Sequence, residues 1–187
     1  MASKLKVIGL GYVGLSVAFE ACRAGLTVTG FDISSDVVGG LNAGQSHIDD
    51  VTNDDVSTMR DCGFVATGDP ADLAEGDVFV ICVPTPLSDD GAPDLSAVVE
   101  TSRLVGSVIG PGCLVVLEST TYPGTTYGTV RPLLELGSGL VAGVDFSLAY
   151  SPERIDPGNP TYGLRNTPKV VGGLTPACTE RAVEFYG

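Results

Sequence analysis

Apolar positions along the chain fall into runs that switch between two periods. Leu5-Lys6-Val7-Ile8 is a short β-rich run, the segment from Val13 to Ala24 has helical spacing, and Leu26 to Phe31 returns to strand character. Together these predict a βαβ unit. Ser35 is placed to cap a short helix through Leu41, and a loop rich in Asn, Asp and Ser leads to a second helix near Asp54 to Arg60. Phe64 to Thr67 then reads as another strand. The run from Asp77 to Val83 is apolar without alternation, the pattern of a parallel strand covered by helices on both faces, so it is expected at the centre of the sheet. Pro84 and Pro86 end it.

Further on, Leu95 to Val108 has helical spacing, and Cys113 to Leu117 is the next strand. Pro123 and Gly124 precede a helix predicted through Leu136. Phe146 to Tyr150 and Lys169 to Gly173 read as the last two strands, and a helix is expected over Pro176 to Tyr186. Strands that alternate with helices predict a Rossmann-like, doubly wound α/β fold with a mainly parallel sheet and helices on both faces, because parallel neighbours need crossover connections. The chain is expected to be one domain over residues 1–187. Its closing helix begins well and meets the end of the chain, the pattern of a connector leading into a longer protein.

Composition narrows the functional classes. Hydrophobic residues make up 43% and charged residues 18%, which argues against general disorder, and no apolar run approaches the ~20 residues that cross a bilayer. The opening lacks the apolar stretch and cleavage site of a secretory signal, so a soluble cytoplasmic protein with no membrane partner is expected. A net charge of −13 argues against nucleic-acid binding, which needs clustered Lys and Arg. Any anionic ligand must therefore be held by local dipoles. Asp49, Asp50, Asp54 and Asp55 read as a solvated acidic face and not as a metal site. The five cysteines are odd in number and show no Cys-x-x-Cys spacing, which suggests reduced thiols, with Cys82 and Cys113 buried in apolar runs.

Gly9-Leu10-Gly11-Tyr12-Val13-Gly14 follows a predicted strand directly and opens a predicted helix, the context that gives a GxGxxG string its weight. Gly9 permits the tight turn, Gly11 lets backbone approach a pyrophosphate, and Gly14 lets helix and strand pack closely; the helix N-terminus then offers N–H groups to the phosphates. Asp32 closes the second strand, 18 residues beyond Gly14, where a carboxylate accepts hydrogen bonds from the adenosine ribose hydroxyls. No Arg or Lys follows it in Ile33-Ser34-Ser35-Asp36-Val37 to welcome a 2′-phosphate, so the cofactor expected is NAD and not NADP. The plainer readings are an ordinary strand-helix turn for the glycines and a helix-capping aspartate for Asp32.

Three further strings complete a pattern: Cys82-Val83-Pro84-Thr85-Pro86, Glu118 to Thr126 (Glu-Ser-Thr-Thr-Tyr-Pro-Gly-Thr-Thr), and Ser151 to Asn159 (Ser-Pro-Glu-Arg-Ile-Asp-Pro-Gly-Asn). With the glycine loop, in this order and over almost the whole chain, they resemble the UDP-glucose/GDP-mannose dehydrogenase family. The resemblance implies a four-electron oxidation, in which the C6 alcohol of a nucleotide-linked sugar becomes a carboxylate with two NAD, through a cysteine-bound thioester. It implies that Val83, Pro84 and Thr85 line the cofactor, that Thr120 lies near the nicotinamide, and that Thr121 positions water or the developing alkoxide. Glu153 corresponds to a general base for the hydrolytic step, against the plainer reading of a surface carboxylate paired with Arg154. Glu118, also at a strand end, is as readily a structural carboxylate as a catalytic one.

Pro157 stands where the UDP-glucose branch has a second glutamate, and the Pro-Glu-Arg-x-x-Pro-Gly pattern resembles the branch acting on UDP-N-acetylhexosamines. Arg154 would then hold the sugar or its acyl group, with a salt bridge to Asp156 or Glu153 as the alternative. The family's Gly-Gly-x-Cys-x-Pro-Lys-Asp string does not occur here, so the resemblance implies an N-terminal fragment that binds NAD without turnover. Most of the UDP-sugar site then lies outside it. The family pairs through a helical connector, which implies a homodimer or larger assembly for the complete protein and a monomer for this chain alone. Cys82 and Cys178 have no partner base, and His47, the one histidine, lies in a polar loop and is expected to be exposed. A stand-alone NAD-binding module and a two-electron hydroxyacid dehydrogenase of the 6-phosphogluconate type are the competing readings. The latter usually carries Met-Gly where this chain has Val13-Gly14, and lacks the Pro-Glu-Arg string.

Overall fold

The structure is a computed structural model that describes residues 3–88, 91–154 and 166–187. Each β-rich run forms a strand because its alternate side chains serve two different cores. Among the described residues the strands are β1 (Lys4–Ile8), β2 (Thr27–Phe31), β3 (Val65–Thr67), β4 (Val78–Ile81), β5 (Leu114–Leu117), β6 (Ser147–Tyr150) and β7 (Gly172–Gly173). They form a single sheet in the order β3-β2-β1-β4-β5-β6-β7, parallel except for β7, which pairs antiparallel with β6. The unalternating run at β4 is the middle strand, as its pattern predicts.

Leu5, Val7, Val78, Val80, Leu114 and Val116 point to one face of the sheet, while Ile8, Phe79, Ile81, Val115 and Leu117 point to the other. The first face is covered by α1 (Tyr12–Arg23), α2 (Ser35–Asn42), α3 (Asn53–Asp61) and, through Ala182, α6 (Pro176–Tyr186). The second is covered by α4 (Ser96–Gly106) and α5 (Arg131–Ser138). Lys6 also points to the second face. It is 7% exposed, and its ammonium donates to Thr29 Oγ1 at 3.1 Å and the Asp72 carbonyl at 2.7 Å. Burial lowers the pKa of this lysine.

Several boundaries differ from the sequence expectation for identifiable reasons. The cap of α2 is Ser34 and not Ser35, because Ser34 holds extended backbone and its hydroxyl accepts from Val37 N. α3 starts from a capping box in which Thr52 and Asp55 bond reciprocally. The helix expected from Pro123 through Leu136 is wound in two ways: Thr126–Val130 is a π-turn and α-geometry begins only at Arg131. Pro132 has no N–H to continue an α-ladder from the preceding turn. The strand expected over Lys169 to Gly173 contracts to Gly172–Gly173, and a 3-10 turn at Pro70–Leu73 had no separate signal in the apolar pattern.

Candidate functional site

The polypeptide winds outward from β1 to β3 and returns to β4, so the loops after β1 and β4 diverge and leave a crevice at the carboxyl ends of the strands. At its base the two loops touch. A Cβ on Gly9, whose φ is +90°, would stand 2.6 Å from the Cys82 carbonyl oxygen, so only glycine fits this approach. A Cβ on Gly14 would stand 1.8 Å from the Gly9 carbonyl oxygen, which is why the helix can start so close to the strand. Gly11 is different. Among the described residues nothing beyond its own neighbours in the chain lies within 4 Å of the Cβ it lacks, and Gly11 lines the crevice. Gly11 is also the N-cap of α1 and makes no side-chain capping bond, which leaves the first amides of the helix to a ligand.

The crevice opens into a cleft of about 560 Å³. Gly9, Gly11, Tyr12, Val13, Asp32, Val83 and Pro84, all expected at a cofactor, line it together. Asp32 is anchored before any ligand arrives: its Oδ2 accepts from Leu10 N at 2.8 Å and its Oδ1 from Ser34 N at 2.9 Å. A carboxylate has about four acceptor positions, so both oxygens retain capacity for a ribose diol. Asp32 is thus bound to the glycine loop itself. The capping reading is met in part through Ser34, while the bond to Leu10 belongs to the loop.

The opposite wall comes from α4, whose Ala97, Glu100, Thr101 and Leu104 face the cleft. Their spacing of three, four and seven is one helical face, a signal present in the sequence that the motif reading passed over. Ile33, directly after the acid and 93% exposed, lines the cleft beside Asp32. His47 is exposed as expected, and its Nε2 lies 2.8 Å from the Leu10 carbonyl oxygen, so the polar loop lies against the glycine loop.

At the far end the loops after β4 and β5 are tied together. Ser119 Oγ donates to the Val83 carbonyl at 2.8 Å, and Thr85 Oγ1 donates to the Thr120 carbonyl. Thr85 and Thr120 therefore meet at the rim and do not line the cleft floor; Thr121 follows, half-buried. Glu153 is half-buried beyond the end of β6, with Oε1 accepting from Arg154 N at 2.7 Å. Its charge is felt by Cys82 and Glu118, both of which line the cleft. Arg154 is exposed and its guanidinium donates to the Pro168 carbonyl. Asp156, Pro157 and the rest of that string to Asn159 lie outside the described residues.

The most heavily partnered group is Glu118. It is 1% exposed; Oε1 pairs with the Lys169 ammonium, and Oε2 accepts from the Tyr186 hydroxyl at 2.5 Å. Burial pushes the Glu118 carboxyl above the ordinary carboxylate range, and Lys169 and then Tyr186 pull it back. Burial and Glu118 together raise the Tyr186 hydroxyl well above its usual value, so it stays protonated and donates. Both partners donate, so they favour the anion that burial opposes. Lys169 is 51 positions from Glu118 in the chain, a pairing that no local spacing announces.

Cys82 is buried and its thiol is raised well above the thiol range, first by burial and then by Glu118, which suits a packed side chain and not a nucleophile. Cys22, Cys113 and Cys178 are also buried thiols, and Cys62 is exposed. Asp49, Asp50 and Asp54 are exposed, as a solvated face should be. Among the described residues no cluster of three His, Cys, Asp or Glu has metal-binding geometry, and no helix is long and apolar enough to cross a membrane.

Comparison with known proteins agrees with this geometry. The family model described as the UDP-glucose/GDP-mannose dehydrogenase family, NAD binding domain, matches residues 3–187. The chain is 38% identical to a UDP-N-acetyl-D-glucosamine 6-dehydrogenase of Pseudomonas aeruginosa, over 98% of this chain and 43% of the relative. Among solved structures, the UDP-D-ManNAc dehydrogenase of Pyrococcus horikoshii superposes with a TM-score of 0.92 at 38% identity, covering 98% of this chain and 44% of that one. A ternary complex of GDP-mannose dehydrogenase from Pseudomonas aeruginosa superposes with a TM-score of 0.90 at 32% identity, covering 97% and 43%. The chain thus spans less than half the length of these relatives. A crevice walled by Gly9, Gly11 and Asp32, on a sheet shared with these enzymes, makes the chain an NAD-binding domain that belongs to the UDP-glucose/GDP-mannose dehydrogenase family.

Proposed function

We propose that this domain serves an enzyme that oxidises the C6 alcohol of a UDP-linked N-acetylhexosamine to the carboxylate, using two NAD. The observation that carries the reading is that Thr120 and Thr121 follow β5 and Glu153 follows the neighbouring β6, at the same sheet edge as the cleft lined by the glycine loop and Asp32. The names of the relatives and the Pro-Glu-Arg string favour an N-acetylhexosamine over glucose.

In this reading the α1 amides around Gly11, Tyr12 and Val13 hold the diphosphate, and Asp32 holds the adenosine ribose. Val83 and Pro84 place the nicotinamide half, and the Thr85–Thr120 bond keeps their loop closed against β5. NAD held there would supply the hydride acceptor. Thr121 orients the hydroxyl or water at the reacting carbon, Glu153 removes the proton of the attacking water in the hydrolytic step, and Arg154 faces the sugar. The cysteine that carries the acyl group, most of the sugar site and the subunit pairing belong to the remaining length found in relatives. Free thiols fit a reducing cytoplasm.

The test is an assay of the complete protein against UDP- and GDP-sugars, following NADH. Two NADH per UDP-N-acetylhexosamine are expected, and Glu153→Gln should slow the hydrolytic step at least ~10-fold more than the first hydride transfer. One NADH per sugar, or equal slowing of both steps, would contradict the assignment.

A further inference from the structure

Three charged side chains line the cleft, Asp32, Glu100 and Glu118, and no Lys, Arg or His is among the described residues that line it. This is unusual company for a dinucleotide, whose diphosphate is anionic. The helix amides at Gly11 answer for the diphosphate, and Asp32 is committed to the glycine loop and the ribose end. Glu118 remains. It lies at the end of β5, its backbone N–H bonded to the Ile81 carbonyl at 2.8 Å, so it stands beside the end of β4. A dinucleotide that starts at Asp32 and passes Gly11 has only the ends of β4 and β5, at Cys82, Val83 and Glu118, for its nicotinamide half.

The partners of Glu118 approach from elsewhere. Lys169 and Tyr186 line a different groove, between α1 and α6, together with Val17, Ala21 and Phe185. The ion pair therefore joins the two hollows, Glu118 lining the cofactor cleft with its carboxylate buried beneath the surface and Lys169 lining the α1/α6 groove, where its ammonium lies 4.6 Å from the centre of the Tyr186 ring. Burial keeps water from screening this pair.

We propose that the cleft binds the oxidised, positively charged nicotinamide in preference to the reduced, neutral ring, and that Glu118, held by Lys169 and Tyr186, sets that preference. The proposal rests on the cofactor placement given under Proposed function. Its consequence is functional: a domain that must release one reduced cofactor and take up a second oxidised one works against product retention if its floor favours the cation.

The experiment is calorimetric titration of this chain with NAD+ and NADH separately, reading the ratio of the two dissociation constants. The unaltered chain should bind NAD+ more tightly. Glu118→Gln, which keeps the shape and removes the charge, should shift the ratio about fivefold toward NADH. Asp32→Asn should weaken both forms by the same factor, because the adenosine ribose does not change with oxidation state. If Glu118→Gln leaves Lys169 too poorly compensated to fold, the double variant Glu118→Gln/Lys169→Met removes both charges and should show the same shift. A ratio that Glu118 substitution leaves unchanged, or equal affinity of the unaltered chain for both forms, overturns the proposal and leaves the cofactor site standing. Failure of either form to bind overturns both.

Discussion

Gly11 and Gly14 lie one helical turn apart and answer to different neighbours. Gly14→Ala drives a methyl into the Gly9 carbonyl, where the backbone has no freedom to yield, so it should cost about 3 kcal/mol of stability in urea denaturation. Gly11→Ala meets nothing among the described residues beyond its chain neighbours, so it should cost about 1 kcal/mol or less as a changed cap, yet weaken NAD at least ~10-fold by occupying the approach to the diphosphate. Equal stability losses for the two would mean that Gly11 has a packing role. Glu118 makes a prediction in pH. An acid whose pKa is higher in the folded state loses stability as pH rises between its unfolded and folded values. The stability of the unaltered chain relative to Glu118→Gln should therefore fall as pH rises from about 4.5, the ordinary value for this acid, toward neutrality. Urea midpoints of both proteins across that range measure it, and a rise would show that Lys169 outweighs burial.

Among the elements, α6 depends most on a single polar contact. Cys178 and Ala182 are its buried residues, and Tyr186 fixes its last turn to β5 through Glu118. Tyr186→Phe keeps the ring and removes a hydrogen bond to a charged group, so a loss of about 2 kcal/mol is expected. Hydrogen exchange should show that loss concentrated in α6, with β1 protection falling only as far as global stability does; uniform loss would argue against the pin. The order of strands and helices, and the central place of β4, were legible because period and length are local properties. Gly9, Gly11, Tyr12, Val13 and Asp32 were legible as a group because the glycine loop with the helix start and the acid each follow a strand directly, whereas Val83 and Pro84 were legible only through the family resemblance. The π-turn, the two-residue β7 and the choice of Ser34 as cap were not, since each turns on one hydrogen bond that neighbouring residues compete for. The Glu118–Lys169–Tyr186 cluster was invisible for a different reason: Tyr186 reaches Glu118 from α6 and Lys169 from the segment before β7, and a lysine 51 positions away carries no periodic signal.

At the scale of the molecule, a chain of net charge −13 binds an anionic cofactor by directing a helix start and a strand switch at one crevice. The seven-stranded sheet supplies the rigid frame, and the loops after β1, β2 and β4 supply the contacts. In the proposed placement, electrostatics would select among dinucleotides, because the carboxylate of Asp32 would accept ribose hydroxyls and repel a 2′-phosphate. The most direct measurement is calorimetric titration of the chain with NAD+ and with NADP+ under the same salt. One NAD+ per chain, bound at least ~10-fold more tightly than NADP+, is the predicted result. Equal affinity for the two, or NAD+ binding that survives Asp32→Ala undiminished, would contradict it.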